Sequence, residues 1–283
     1  LLRSQDCSRG RGTSGSNARQ LRTRRWCLLL RRLNRVEEKP VDASSARPSL
    51  LVDVWSSHSG SVHFPRLEGL TATESCDAIL AAIAPQCAVA AEDPTVCDRL
   101  LDRSARQVRH LFTMRHDLEV LPAETRVPDL ELRPWRKEDA ALLAPALLAA
   151  YDAEHPDAEE VDLEAAVNSL VGTTEDADNP LMSSATQVAL LGGQTIGAAL
   201  VLRSEHEPLW SGPWLQNVFR APDRTRPGVG VAMLTRAMTI LKGADERQLG
   251  LAVTSTNPAV HVYERLGFVR VAEYWIVVLP EPA

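Results

Sequence analysis

The stretch from Trp214 to Leu241 restricts the fold of this chain more than any other segment. Trp214-Leu215-Gln216-Asn217-Val218-Phe219 has the composition of a strand, while Val231, Leu234, Met238 and Leu241 recur at helical spacing. Between them, Arg224-Thr225-Arg226-Pro227-Gly228-Val229-Gly230 places two glycines where strand hands over to helix. Lys242-Gly243 then supplies a basic last turn and a C′ glycine. A helix N-terminus offers unpaired N–H groups and the positive end of a dipole, and glycines there let a phosphate approach the backbone. Arg224 and Arg226 add positive charge at the same place. Taken alone, such a G-x-G supports two readings, an anion site or a tight turn.

The flanking sequence continues the α/β pattern. Leu130–Trp135 alternates as a strand, and a helix follows from about Glu138 to Tyr151, with Pro145 placed to kink or divide it. Acidic residues cluster from Asp152 to Glu164, a second short helix runs to about Leu170, and Gly172 to Pro180 reads as a polar turn. Ala185–Leu191 and Gln194–Arg203 are β-patterned runs joined by Gly192-Gly193, a hairpin signal. Past the glycines, Gln248–Val253 reads as a strand. Asn257-Pro258 opens a helix that Gly267 stops, with Ala259, Val262 and Leu266 facing the core. Val269–Ala272 and Tyr274–Leu279 are strand-like. Tyr263 sits on the flank of the apolar stripe, where half-buried packing would explain it as readily as chemistry.

Together, residues 130–279 resemble the GNAT superfamily of acyl-CoA-dependent N-acyltransferases. Three features carry the resemblance: the strand Trp214–Phe219 leading into a variant R/Q-x-x-G-x-G/A loop at Gly228 and Gly230; the segment Asn257-Pro258-Ala259-Val260-His261-Val262-Tyr263-Glu264-Arg265-Leu266-Gly267-Phe268; and a separation between them that fits one helix, one strand and a turn. One position departs from the family pattern. Thr225 stands where the loop usually has Arg or Gln three residues before the first glycine, with Arg224 and Arg226 as neighbours that could compensate.

The resemblance implies an α/β (α+β) GNAT fold, a mixed and mostly antiparallel sheet flanked by helices. It also implies transfer of an acetyl group from acetyl-CoA, as co-substrate, to an amine of a small molecule or peptide. In this family the strand before the loop splays from its neighbour, holds the pantetheine arm and polarises the thioester. That role maps onto Val218, Phe219 and Arg220. Backbone N–H groups of Arg226, Gly228, Val229, Gly230, Val231 and Ala232 would cradle the pyrophosphate. Asn257 would touch the cofactor arm, and Tyr263 would protonate the departing thiolate as general acid. The base is not fixed by the resemblance. Glu205 and His206 are candidates at the end of the hairpin, with Glu154 and His155 as alternatives, although proximity carries much of a direct transfer. A non-catalytic acyl-CoA-binding or interaction module is the rival reading.

The rest of the chain divides by composition. Residues 1–36 hold ten arginines against one acid, a net +9, which leaves −15 on the remainder of a chain whose formal charge is −6. Residues 1–48 read as a disordered arginine-rich tail, and residues 128–283 as the GNAT domain. The first methionine is Met114, so the tail reads as a fragment's edge, a non-methionine start, translated upstream sequence, a transit peptide or a nucleic-acid-binding arm. Nothing in the site reading draws on it, which disfavours nucleic acid as a partner. Residues 49–121 read as a small β-α-β-α-β unit: Leu50–Trp55, Glu74–Ala84, Cys87–Ala91, a helix from Asp93-Pro94 and Gln107–Leu118. It lacks a phosphate loop and contains no tyrosine, and is taken as a degenerate GNAT half in which Cys97, His110 and His116 serve packing or the surface. Five irregularly spaced cysteines support neither a disulfide framework nor a zinc site. Trp26–Leu30, the longest apolar stretch of the tail, falls far short of the roughly 20 residues of a spanning helix. The expectation is a cytoplasmic enzyme with no metal and no membrane partner, its oligomeric state open between monomer and homodimer.

Overall fold

The computed structural model describes residues 37–39, 50–57, 60–151, 155–157, 162–177, 179–206 and 210–281. The arginine-rich segment 1–36 lies outside the described residues. The N-terminal part comprises β1 (Glu37–Lys39), β2 (Leu50–Ser57), β3 (Gly60–Pro65), α1 (Ala72–Ala82), β4 (Ala88–Ala91), α2 (Pro94–Asp102) and β5 (Arg106–His116). After it come β6 (Leu130–Pro134), α3 (Asp139–Ala150), α4 (Leu163–Thr174), β7 (Gln187–Leu191), β8 (Gln194–His206), β9 (Trp210–Arg220), α5 (Val229–Gly243), β10 (Leu249–Thr254), α6 (Ala259–Arg265) and β11 (Val269–Val278).

All these strands join one sheet in the order β1-β2-β3-β4-β11-β5-β10-β9-β8-β7-β6. Its neighbours are antiparallel except β3–β4 and β9–β10. The expected class, a mixed and mostly antiparallel sheet flanked by helices, is what the chain adopts. Its two parts exchange strands. β11 lies between β4 and β5, and β5 lies between β11 and β10.

Local chemistry accounts for most element boundaries. Thr71 and Glu74 form a reciprocal capping box on α1, and Asp93 caps α2 ahead of Pro94. Gly192 and Gly193, at φ +58° and +77°, make the two-residue turn that a right-twisted hairpin needs between Leu191 and Gln194. Several details differ from the sequence reading. Pro145 does not divide α3, and both it and Ala141 are exposed, so water can serve the carbonyl left unpaired. α4 continues through the polar Gly172-Thr173-Thr174, since the Thr174 hydroxyl donates to the carbonyls of Leu170 and Val171. β3 was not anticipated, nor was β1, which pairs with β2 from inside the stretch 1–48 read as a disordered tail. The two final strand-like runs are one strand, β11, whose register slips between Arg270 and Ala272.

Both faces of the C-terminal sheet are covered. Val229, Met233, Leu234, Met238 and Leu241 of α5, with Val260 and Leu266 near α6, pack on Ile196, Val201, Leu215, Leu251 and Met114. On the opposite face, Leu143 and Leu147 of α3 and Leu170 of α4 pack on Val188, Leu200 and Phe219. α3 is fixed to β6 by Asp139, fully buried, which accepts from both Arg133 terminal nitrogens at 2.6 and 2.7 Å and from Arg136 N–H at 2.7 Å. In the N-terminal part, α1 and α2 pack Ile79, Val96 and Leu100 on Val52, Val89 and Val277.

Candidate active site

Parallel strands β9 and β10 share one paired position, Trp214 with Gly250. There the Trp210 ring occupies space that a Cβ on Gly250 would enter at 2.5 Å. Beyond that pair the strands diverge. On the other edge of β9, between Leu215 and Asn217, its register with β8 gains one residue, Gln216, a bulge at the point where the pairing with β10 ends. The backbone of β9 from Gln216 to Arg220 has no ladder partner on the β10 side.

The gap holds a cavity of about 130 Å³. β9 lines it with Leu215–Val218, β10 with Leu251–Val253, and α6 with Tyr263. Its remaining wall comes from the end of α3 and a turn after it, through Tyr151, His155 and Asp157. The Tyr151 hydroxyl donates to Asn217 Oδ1, and the Tyr151 and His155 rings meet edge to face at 4.7 Å. The Asp157 N–H donates to His155 Nδ1 at 3.0 Å, which in the neutral ring places the proton on Nε2. Asp157 in turn accepts from the Thr254 hydroxyl and, at 3.1 Å, from the Asn257 amide. Gln216 is among the residues that line the cavity, and its Oε1 is buried with no hydrogen-bond partner among the described residues.

Tyr263 is half-buried, its ring 5.7 Å from that of Phe268. Burial pushes its hydroxyl up to about 12, and the negative charge of Asp157 adds to the shift. The group therefore holds its proton throughout the neutral range, as a donor must. Asn257 Oδ1 accepts from the Ala259 N–H at 2.9 Å and so braces the start of the helix that presents Tyr263.

At the other end of β9, Gly228 is the N-cap of α5 at φ +91°, a conformation few side chains tolerate. The N–H groups of Gly230 and Val231 fall in the first turn, where no intrahelical acceptor exists, whereas that of Val229 donates to Arg226 O at 3.4 Å and that of Ala232, expected in the phosphate cradle, to Gly228 O at 2.8 Å. Val229 and Ala232 are buried, Val231 partly so, while Gly230 faces Val218. Arg226 is engaged: its guanidinium donates to Pro128 O at 2.9 Å and pairs with Asp129 at 3.3 Å. Arg224 is exposed beside Asp223.

The residues picked from sequence thus fall into groups. Val218, Asn257 and Tyr263 line the cavity. Phe219 points into the α3–α4 core, and Arg220 is exposed at the strand end. Glu205, exposed, accepts from Ser211 Oγ at 2.8 Å and is not among the cavity's lining residues. His206 closes β8 opposite Trp210. Glu154 lies outside the described residues, whereas His155 reaches the cavity. Tyr151, Asp157, Gln216 and Asn217 were missed. The acidic run marked the neighbourhood of Asp157, but nothing in it distinguished Asp157, which lines the cavity, from its acidic neighbours.

No family model matches the chain. It is 32% identical over 176 residues to a mycothiol acetyltransferase of Actinosynnema mirum, in a match covering 59% of this chain and 54% of that protein, so it spans about half the length of that relative. Among solved structures it is similar to a GCN5-related N-acetyltransferase from Sphaerobacter thermophilus (TM-score 0.56, 17% identity, covering 81% of this chain and 76% of that one). A GCN5-related N-acetyltransferase from Kribbella flavida matches at TM-score 0.56 and 15% identity, covering 90% and 92%. A tandem GNAT protein from the clavulanic acid biosynthesis pathway matches at TM-score 0.54 and 13% identity, covering 84% and 82%. These matches cover more of the chain than residues 128–283 make up, so the likeness extends into the residues before 128. With its splayed strands, bulge and glycine-capped helix, the chain has the fold of the GNAT acetyltransferases.

Proposed function

We propose that this chain transfers an acetyl group from acetyl-CoA to a primary amine of a small molecule or peptide, by direct attack of the amine on the thioester. The observation that carries the reading is the divergence of β9 from β10 beyond Trp214–Gly250, with the cavity and Tyr263 in the gap. An extended pantetheine arm needs an unpaired strand edge, and β9 provides one. A pyrophosphate needs convergent N–H groups, and the first turn of α5 behind Gly228 provides them.

The residues then divide the work. Backbone groups of β9 near Val218 face the negative charge that develops on the carbonyl oxygen. Tyr263 gives its proton to the departing sulfur. Asp157 lines the acceptor wall, where its carboxylate, held by its neighbours, is a fixed acceptor beside an incoming amine. Residues 128–283 are the catalytic unit in this reading. Residues 49–121, without a phosphate loop or a counterpart of Tyr263, act as a non-catalytic half. Free thiols at Cys76, Cys87 and Cys97 suit a reducing cytoplasm.

Calorimetry with acetyl-CoA, and thiol release over a panel of amines, test this for the parent protein and Tyr263→Phe. The expected result is tight binding by both, with kcat reduced roughly 100-fold or more in the variant. Tight binding without turnover on any amine would leave an acyl-CoA-binding module and defeat the enzyme reading.

A further inference from the structure

One buried cation beside the site comes from the other half of the chain. Arg109, on β5, has a side chain only 7% exposed, and its Nη2 lies 3.5 Å from Asp157 Oδ1. Asp157 is also held by the Thr254 hydroxyl and the Asn257 amide, so three elements converge on one carboxylate: β5, the end of β10 and the approach to α6. The backbone repeats the convergence, since the Ser255 N–H donates to His110 O at 2.8 Å. From Asn257 the chain of contacts runs through the Ala259 N–H to the helix bearing Tyr263. A guanidinium is almost never buried without a partner, and removing one member of such a pair leaves the other uncompensated.

We propose that Arg109 is a positioning residue for the acceptor wall. By pairing with Asp157 it fixes the turn at residues 155–157 across the cavity and, through Asn257, the start of α6. The N-terminal half then completes the site with one charge and does more than brace it. The kinetic part of this proposal rests on the acetyltransferase reading above. The structural part, a coupling between Arg109 and the turn, stands without it.

Arg109→Met keeps most of the side chain's length and removes its charge; Arg109→Lys keeps the charge; Asp157→Asn keeps the shape of the acceptor. Two readouts apply. Hydrogen exchange at the Asp157 amide, which donates to His155 in the intact turn, is expected to speed up roughly tenfold or more in Arg109→Met and Asp157→Asn, and less in Arg109→Lys. The KM for the amine is expected to rise by roughly 10- to 100-fold in Arg109→Met, several-fold more than the KM for acetyl-CoA, whose arm Asn257 also borders. Unchanged exchange overturns the proposal whatever the kinetics show. Faster exchange with both KM values rising by the same factor overturns the acceptor-side role. Faster exchange in a protein that turns over no amine, even as the parent, defeats the acetyltransferase reading and keeps the coupling. If Arg109→Met does not fold, Arg109→Lys and Asp157→Asn decide, and parent-like exchange in both would overturn the proposal.

Discussion

Removing residues 1–120 should leave a C-terminal fragment that cannot fold on its own. The cut takes away β5, which is paired along one edge with β10 from Leu249 to Thr254 and along the other with β11 from Val269 to Val278. It also removes Leu111, Phe112, Met114 and Leu118, each no more than 6% exposed. At about 1.5–3 kcal/mol for each fully buried side chain, the loss is roughly 6–12 kcal/mol. That is comparable to the whole stability of an ordinary domain, about 5–15 kcal/mol. Direct pairing of β10 with β11 cannot compensate cheaply, because each would have to cross a gap of about 10 Å, two strand spacings. Circular dichroism during heating, with proton–nitrogen NMR spectra of fragment 121–283, provides the assay. We expect no cooperative transition and poorly dispersed amide signals, with dispersion restored by adding a separately made fragment 49–120. A fragment that melts cooperatively within a few degrees of the full chain would refute the claim that β5 is integral to the C-terminal sheet.

Three further outcomes are expected. Because Tyr263 is raised to about 12, it stays protonated past the usual phenol value of about 10, so kcat should show no loss from its ionisation until the pH rises towards the higher figure; an alkaline limb near 10 that vanishes in Tyr263→Phe would contradict this. Gly228→Ala puts a Cβ 3.3 Å from Thr125 Cγ2 on a residue at φ +91°, and should cost more than about 1 kcal/mol in chemical melts while raising the KM for acetyl-CoA more than that for the amine. Asp139→Ala strands the Arg133 guanidinium at the base of α3 and should cost about 3–5 kcal/mol, read as a lower midpoint in urea. An unaltered midpoint would show that the pair contributes nothing net.

What the sequence disclosed was local. The Gly192-Gly193 turn, the glycine start of α5 and the Asn257-Pro258 start before α6 each depend on residues within a few positions of one another, so composition and spacing reveal them. β3 escaped because Gly60–Pro65 is short: Ser61 and His63 alternate with Val62 and Phe64 over only four residues, too few to stand out from a loop. The neighbours of β11 were illegible for a different reason. Nothing in Val269–Val278 indicates that its partners are Ala88–Ala91 and Arg106–His116, since any alternating strand can pair with any other until the whole sheet is assembled. The same holds for Arg109 and Asp157. Each is one charge among many, and only the exchanged strands bring them within reach. The Gln216 bulge left no signature either, for an extra residue is extra only against a partner strand.

The exchange of β11 and β5 also sets an order of events for the growing chain. β11 is synthesised after every strand it joins, and its partners on β4 are about 190 residues away, a closure that costs roughly 4–5 kcal/mol of chain entropy. Until it arrives, β4 and β5 stand apart with open edges, the condition in which a nascent sheet recruits the wrong neighbour. When it arrives, one ribbon closes the first half and leaves β5 lying against β10 of the second. The two halves therefore become native in a single late step, and slow folding is built into the topology. A weakness in either half is then felt as a failure of both.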